Sequence, residues 1–309
     1  MAHGIKFGIT LPQFGASWTE AKEIALLADE MGIDSVWAAD HFLGVGGDDP
    51  LEAWTEMSAV AAITQRVEVG FLVLCNNYRS PALLAKMAAT FDHISDGRLI
   101  LGYGAGWFDQ EYEAYGYEFP NIRTRLDQLE EAIEILKKMW TEDATTFHGF
   151  HYHVENARCL PKPARTPHPP ILIGGGGEKV LLRLVARFAD IWNNLGIHHR
   201  EVTTKLAILK AHCEKVGRDA AEIEISQQTL GAIGSSKEEA RRNTEAVHNE
   251  LGFLTGAPEL CLTGTPDQLV ARIKRNVDLG VTTFIISFGR HAGEKALTLF
   301  AREVIPAFR

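Results

Sequence analysis

Eight short apolar or β-branched runs punctuate this chain, each separated from the next by a longer stretch. They are Ile5 to Leu11, Ser35 to Ala39, Val67 to Leu74, Leu99 to Tyr103, Pro170 to Ile173, Asp190 to Asn193, Glu222 to Gln228 and Thr282 to Ser287. Strands bounded by connections of that length cannot pair as hairpins; they pair in parallel, with a crossover, usually a helix, lying between them. Eight such units fit a closed barrel better than an open, doubly wound sheet, which is the alternative the pattern leaves.

The intervening helices carry their own start and stop signals. Ser17 and Glu20 form a capping-box pair, Ala21, Ile24, Ala28 and Met31 recur at helical spacing, and Gly32 follows as a left-handed stop. Thr265, Pro266 and Gln268 repeat the device ahead of Leu269, Ile273 and Val277, with Gly280 beyond. Leu126, Leu129, Ile133, Leu136 and Trp140 mark one long amphipathic helix, and Leu206, Leu209, Cys213 and Val216 another that ends at Gly217. Between residues 141 and 169 the period fails, and aromatic, His and Pro residues suggest an insertion with a hairpin near His148 to His153. With no internal repeat, low-complexity tract or charged linker, the expectation is one domain over residues 1–309. Its fold class is α/β, a (β/α)8 TIM barrel with loop insertions.

Composition narrows the function classes. A net charge of −9, with no basic run, argues against nucleic acid as a partner. Cys75, Cys159, Cys213 and Cys261 are far apart and form no C-x-x-C pair, which suggests neither a disulfide framework nor a zinc site and fits a reducing cytoplasm. No window approaches the apolar length of a membrane span, so a soluble, cytoplasmic protein acting on a small molecule is expected.

In such a barrel the active site is built from loops beyond the C-terminal ends of the strands. Those positions read Pro12 and Gln13; Asp40 and His41; Cys75, Asn76 and Asn77; Gly104, Ala105, Gly106 and Trp107; Gly174, Gly175, Gly176 and Gly177; Asn193 and Asn194; Gln228; and Phe288 to Arg290. The four glycines stand between a strand and a helical stretch, where backbone N–H groups can cradle a phosphate. The loop continues Glu178-Lys179-Val180, which is no Walker ending, and after Gly102, Gly104 and Gly106 the dinucleotide fingerprint lacks its last glycine. A cofactor with one phosphate anchor, FMN or a deazaflavin, remains. Asp40 and His41, side by side at a strand end, can hold a ring edge and exchange a proton near neutral pH, with Asp40 expected to position His41. His148, His151 and His153 lack a companion carboxylate or thiol in the sequence reading, so no metal is expected. A nucleophile elbow is absent, and hydrolysis has no support.

Several stretches resemble the bacterial luciferase-like family, and more narrowly its branch of coenzyme F420 (deazaflavin) dependent oxidoreductases. They are Trp37-Ala-Ala-Asp40-His41, Tyr78-Arg79-Ser80-Pro81 through Asp92 to Arg98, Gly102 to Trp107 with Glu111, Arg123, and Ile173 to Gly177 through Ala189-Asp190. The resemblance spans nearly the whole chain. It implies a barrel with insertions, often dimeric, with the cofactor ring at the strand ends. It further implies a non-prolyl cis peptide within Leu72 to Cys75 supporting the ring, which brings Val73 and Leu74 into the cofactor set with Cys75 and Asn76. The phosphate loop maps to Gly174 through Gly177, and Asp40 and His41 match the pair that meets cofactor and substrate, His41 as proton carrier. Sugar-phosphate dehydrogenases of the family carry a glutamate where this chain has Trp107. Trp107, with Trp18 and Phe42, suggests a more apolar substrate pocket, of which Gln13 and Gln228 are the expected polar members. The resulting expectation is hydride transfer between F420 and a small organic substrate in a homodimer. The alternatives are an FMN-dependent, oxygen-using monooxygenase and a deazaflavin carrier without turnover.

Overall fold

The computed structural model describes residues 4–44, 48–195, 201–252, 261–290 and 293–309. In chain order its elements are β1 (Lys6–Thr10), α1 (Trp18–Met31), β2 (Ser35–Ala38), α2 (Ala53–Ile63), β3 (Glu68–Phe71), β4 (Leu74–Cys75), α3 (Pro81–Ile94), β5 (Leu99–Gly104), α4 (Asp109–Ala114) and α5 (Ile122–Thr141). There follow β6 (Thr145–His148), β7 (His153–Ala157), β8 (Ile171–Gly174), α6 (Leu181–Phe188), β9 (Ile191–Leu195), α7 (Val202–Val216), β10 (Glu224–Ile233), α8 (Lys237–Leu251), β11 (Leu262–Gly264), α9 (Pro266–Asp278), β12 (Thr283–Ser287) and α10 (Gly293–Glu303).

Parallel pairing runs β10, β12, β1, β2, β3, β5, β8, β9, and β9 pairs back onto β10, so the sheet closes. This is a (β/α)8 barrel, and all eight runs read from the sequence are its staves. Alternation along the strands sorts side chains into two layers. Leu99, Leu101 and Tyr103 of β5, Ile171 and Ile173 of β8, and Phe284 and Ile286 of β12 pack outward into the main core beneath the helices. Ile100, Leu172, Ile191 and Ile285 point inward, where with Trp37 and Leu72 they form a separate inner cluster.

Trp37 fills the barrel interior because its neighbours have no side chain there. A Cβ on Gly8 would stand 2.6 Å from the indole Nε1, and one on Gly70 would enter the six-membered ring. The buried indole N–H is satisfied by the Ser35 hydroxyl at 2.8 Å. Moving toward the C-terminal ends, the inward positions change character: Ile100 gives way to Gly102 and Gly104 on β5, Leu172 to Gly174 on β8, and Ile191 to Asn193 on β9. One end of the barrel is therefore plugged with hydrocarbon and the other left hollow and polar.

The helix ends follow the sequence signals. Ser17 accepts from the Glu20 amide while Glu20 accepts from the Ser17 amide, and Gly32 closes α1 at φ 72°. The same reciprocal box opens α9 between Thr265 and Gln268, and Gly217 ends α7 at φ 69°. The hairpin of the insertion is β6 paired antiparallel with β7. Its turn is held by Glu131 of α5, whose carboxylate accepts from the amides of Phe150, His151 and Tyr152 at 2.8, 2.9 and 3.0 Å.

Two details differ from the expected staves. The run Val67 to Leu74 is not continuous: the peptide between Leu72 and Val73 is cis and separates β3 from β4. The strand expected to stop at Gln228 runs on to Ile233, where it gains β11 as a neighbour. At three residues, β11 is too short to show an alternating pattern in the sequence.

Candidate active site

The hollow end opens into a cavity of about 1150 Å³. Of the residues singled out from the sequence, Gln13, Asp40, His41, Val73, Leu74, Cys75, Gly104, Ala105, Gly106, Trp107, Gly174, Gly175, Gly177, Asn193 and Gln228 line it. Far apart in sequence, they meet because parallel staves present all their C-terminal ends at one rim.

His41 follows β2, and its ring faces the cavity beside Trp107, with ring centres 5.6 Å apart. Its Nδ1 lies 3.0 Å from Oε2 and 3.1 Å from Oε1 of Glu111, at the start of the chain's return after β5. Glu111 also accepts from the amides of Phe42 and Leu43 at 2.6 and 2.9 Å and from the Tyr78 hydroxyl at 2.8 Å. Burial pushes the Glu111 carboxyl up, but the hydrogen bonds from His41 and Leu43, the nearby His41 ring and Tyr78 outweigh it and hold the group below the usual value. A carboxylate only accepts, so the shared proton sits on Nδ1 of His41, and Nε2 is the ring nitrogen left to gain or lose a proton. That nitrogen has no hydrogen-bond partner among the described residues.

Asp40, expected to position His41, does something else. Its carboxylate accepts from Arg79 Nη1 at 2.8 Å and Nη2 at 3.0 Å, and from the Cys75 amide at 2.8 Å. The pair is buried, and Arg79 reaches on to Glu52 at 2.6 Å. Burial lowers the Arg79 guanidinium, but Asp40 and Glu52 more than reverse this and hold it above its ordinary value. Asp40 thus locks the end of β2 to β4, and orienting His41 falls to Glu111. Glu111 and Arg79 stand in the family-like stretches of the sequence, but neither partner is evident there, because the contacts join residues 70 and 39 positions apart.

Gln13 is folded onto the second loop: its Oε1 accepts from the Ala39 amide at 2.6 Å and its Nε2 donates to the Ala39 carbonyl at 3.1 Å. Behind it, Glu56 of α2 is buried, with Oε1 lacking a hydrogen-bond partner among the described residues. Burial pushes its carboxyl up to about 7, against the weak contact from Gln13 and with help from Glu52. Cys75 shares a hydrogen bond with the Tyr112 hydroxyl at 3.0 Å, and burial pushes its thiol up to about 11, which leaves no thiolate nucleophile at neutral pH.

The glycines at the rim have two tasks. A Cβ on Gly104 would stand 2.6 Å from Cγ2 of Val73, and one on Gly174 would stand 3.1 Å from Cγ1. These two glycines seat the Val73 side chain that follows the cis bond, so their bareness is filled from within the protein. Gly106 lies at φ 75° with Tyr112 packed where a Cβ would go.

Four expected site residues lie outside the cavity lining. Asn76 is fully buried, accepting from the Tyr103 hydroxyl at 2.7 Å and donating to the Tyr152 hydroxyl at 3.1 Å, which ties the insertion hairpin to the barrel. Phe42 turns away from His41 to stack on Tyr78 and Tyr115, each with ring centres 4.5 Å apart. Trp18, at the start of α1, packs against the main core. Gly176 turns its carbonyl to the Nζ of Lys205 at 2.8 Å. In the hairpin, His148 Nε2 lies within hydrogen-bond distance of a Glu155 carboxylate oxygen at 2.8 Å, and its ring stacks on His153.

Among the described residues, no helix is long and apolar enough to cross a membrane. A family model described as luciferase-like monooxygenase matches residues 5–283. A relative from Nocardia farcinica (strain IFM 10152), an F420-dependent glucose-6-phosphate dehydrogenase, is 30% identical over 98% of this chain and 97% of its own length. The solved structure of the monooxygenase RslO1 from Streptomyces bottropensis superposes with a TM-score of 0.83 at 24% identity, covering 99% of this chain and 100% of that one. An F420-dependent secondary alcohol dehydrogenase, solved with an F420-acetone adduct, superposes with a TM-score of 0.84 at 20% identity, covering 99% of both chains. At those identities the two structures share a fold with this chain.

Proposed function

Since the chain belongs to the luciferase-like monooxygenase family, we propose that it transfers hydride between the deazaflavin coenzyme F420 and a small organic substrate. The observation that carries the proposal is His41 at the cavity wall, its Nδ1 held by Glu111 and its Nε2 without a partner among the described residues.

The residues present fit such a cofactor. A cavity of about 1150 Å³ exceeds the roughly 300–1,000 Å³ of common small-ligand sites, leaving room for a tricyclic ring, its tail and a second reactant. Val73, seated on Gly104 and Gly174, offers an apolar surface for a ring face, and the loop from Gly174 to Gly177 offers backbone N–H groups for a phosphate. When bound, the deazaflavin supplies the hydride donor or acceptor. The chain itself holds the ring, excludes water and moves one proton at Nε2 of His41, so that a substrate hydroxyl and carbonyl interconvert.

The substrate is read as something other than a sugar phosphate, although the relative named above is a glucose-6-phosphate dehydrogenase. The described lining carries exposed or half-exposed carboxylates at Glu20, Glu23, Asp48, Glu250 and Glu294 and one guanidinium, Arg290, which already meets Glu20 at 3.4 Å. Such a rim repels a dianion. Cytoplasmic location and a homodimer belong to the same proposal. Four reduced, buried cysteines support the first, and light scattering measures the second.

Fluorescence titration of the purified protein with F420 and FMN in parallel, with oxygen uptake recorded for each reduced cofactor, tests the reading. Preferential F420 binding without oxygen uptake is expected. Preferential FMN binding with oxygen uptake overturns it in favour of a monooxygenase, and tight F420 binding with no turnover over a broad alcohol and enone panel reduces it to a carrier.

A further inference from the structure

The glycine loop after β8 is held from behind by two side chains. Trp192, on the outer face of β9 and fully buried, donates from Nε1 to the Gly175 carbonyl at 2.8 Å. Lys205, on α7 and 3% exposed, donates from Nζ to the Gly176 carbonyl at 2.8 Å. In a trans peptide the N–H points opposite to the C=O. Pulling two successive carbonyls toward the helices therefore turns the amides of Gly176 and Gly177 the other way. Neither amide has an acceptor among the described residues, whereas the Gly175 amide is taken by the Asn193 carbonyl at 3.1 Å. Gly175 and Gly177 line the cavity. Gly175 lies at φ 124°, a conformation that a residue with a Cβ rarely adopts.

Two adjacent amides aimed to one side, with a cation behind them, make an anion nest. The cation is close to buried, and its acidic partners are exposed: Glu201 lies 3.2 Å and Glu178 3.6 Å from Nζ. Solvent screens those carboxylates more than it screens the ammonium.

We propose that Lys205 and Trp192 are positioning residues for a cofactor phosphate: they preset the Gly175–Gly177 backbone as its anion nest, and the Lys205 charge adds to the nest's pull. The inference rests on the cofactor reading above, and its test separates the two. The dissociation constants of F420 and of its phosphate-free deazaflavin chromophore, and of FMN and riboflavin, are measured by fluorescence for the wild type and for Lys205→Met, Lys205→Arg, Trp192→Phe and Glu178→Gln. Melting curves verify that each variant folds.

Wild type is expected to favour the phosphate-bearing form of its cofactor. Lys205→Met is expected to weaken that form by about ten-fold or more, the worth of a charge-assisted hydrogen bond, while the phosphate-free form changes by less than about two-fold. Lys205→Arg should recover part of the loss, Trp192→Phe should show a smaller loss confined to the phosphate-bearing form, and Glu178→Gln should tighten that form. If Lys205→Met does not fold, the selective effects of Trp192→Phe and Glu178→Gln decide. Equal weakening of both forms, or none of either, overturns the positioning role while leaving the cofactor reading intact. A wild type that binds neither ring in either form overturns the cofactor reading and the inference with it.

Discussion

Glu111 holds His41 through Nδ1 at 3.0 Å while accepting two amides from the residues that follow the same histidine, Phe42 and Leu43. One buried carboxylate thus fixes the ring, its tautomer and the loop that carries it. The imidazole can exchange a proton only at Nε2, on the cavity side.

Replacing His41 by Ala is expected to lower kcat by roughly 10²–10⁴-fold, the usual worth of a general acid or base, and to leave cofactor affinity within a few-fold. Glu111→Gln keeps the shape but loses acceptor capacity, so a fall of about ten- to hundred-fold in kcat is expected with little change in KM. Steady-state kinetics with cofactor titration measures both; unchanged turnover in His41→Ala removes the proton-carrier role.

Asp40→Asn is expected to act on stability before chemistry. It weakens a buried pair with Arg79, whose side chains are 1% and 11% exposed, and leaves the guanidinium with Glu52 alone. The cost is on the order of 3 kcal/mol. Chemical denaturation gives the number, and an Asp40→Asn protein of full stability but without turnover would return Asp40 to the chemistry.

Glu56 makes stability depend on pH. Its folded-state carboxyl is raised from 4.5 to about 7, so the fold binds this proton more tightly than the unfolded chain does. The contribution is full below the unfolded value and is lost as pH rises through about 7. Glu56→Gln should therefore melt higher than wild type at pH 8, by up to about 3 kcal/mol, and near wild type at pH 4.5. Equal melting differences at both pH values would contradict the buried, proton-binding carboxyl.

Gly104→Ala places a methyl group 2.6 Å from Val73 Cγ2. Overpacking of this kind costs roughly 1–3 kcal/mol. Val73→Ala should relieve it, so a double-mutant cycle is expected to show coupling of about 1 kcal/mol or more. Additive effects would mean that Val73 does not sit on Gly104.

The carboxylate rim should make the enzyme prefer uncharged substrates to phosphorylated analogues, with the ratio of kcat/KM values shrinking as salt screens the rim. Competition between a neutral alcohol and its phosphate ester at low and high ionic strength measures this. A preference for the ester at low salt would reassign the pocket.

Much of the barrel was legible because its signals are local. Ser17 and Glu20, or Thr265 and Gln268, recognise each other three residues apart, and the runs around Leu99 and Ile171 carry their polarity in their own composition. The rim could be read for the same reason: once strands are parallel and closed, every residue just past a strand belongs to one face. Roles within the rim depend on contacts between loops. Asp40 and His41 are neighbours in sequence, and their adjacency suggested a working pair; yet just past the end of β2 their side chains go to different partners, one to Arg79 and the other to Glu111. Phe42 leaves the pocket at a bend and Asn76 in a single 3-10 turn, and Gly104 seats Val73.

By itself, then, the sequence determined the eight βα units, the helix ends, the glycine loop and the set of residues gathered at one rim. Those follow from periodicity and short-range hydrogen bonding, which act over a few residues. Only the tertiary structure decided that Glu111 orients His41, that Arg79 neutralises Asp40, that Glu56 is buried behind Gln13, and that Lys205 and Trp192 back the glycine loop. Each of these pairs joins separate βα units, and no local rule links such residues until the closed sheet sets the distances between its loops.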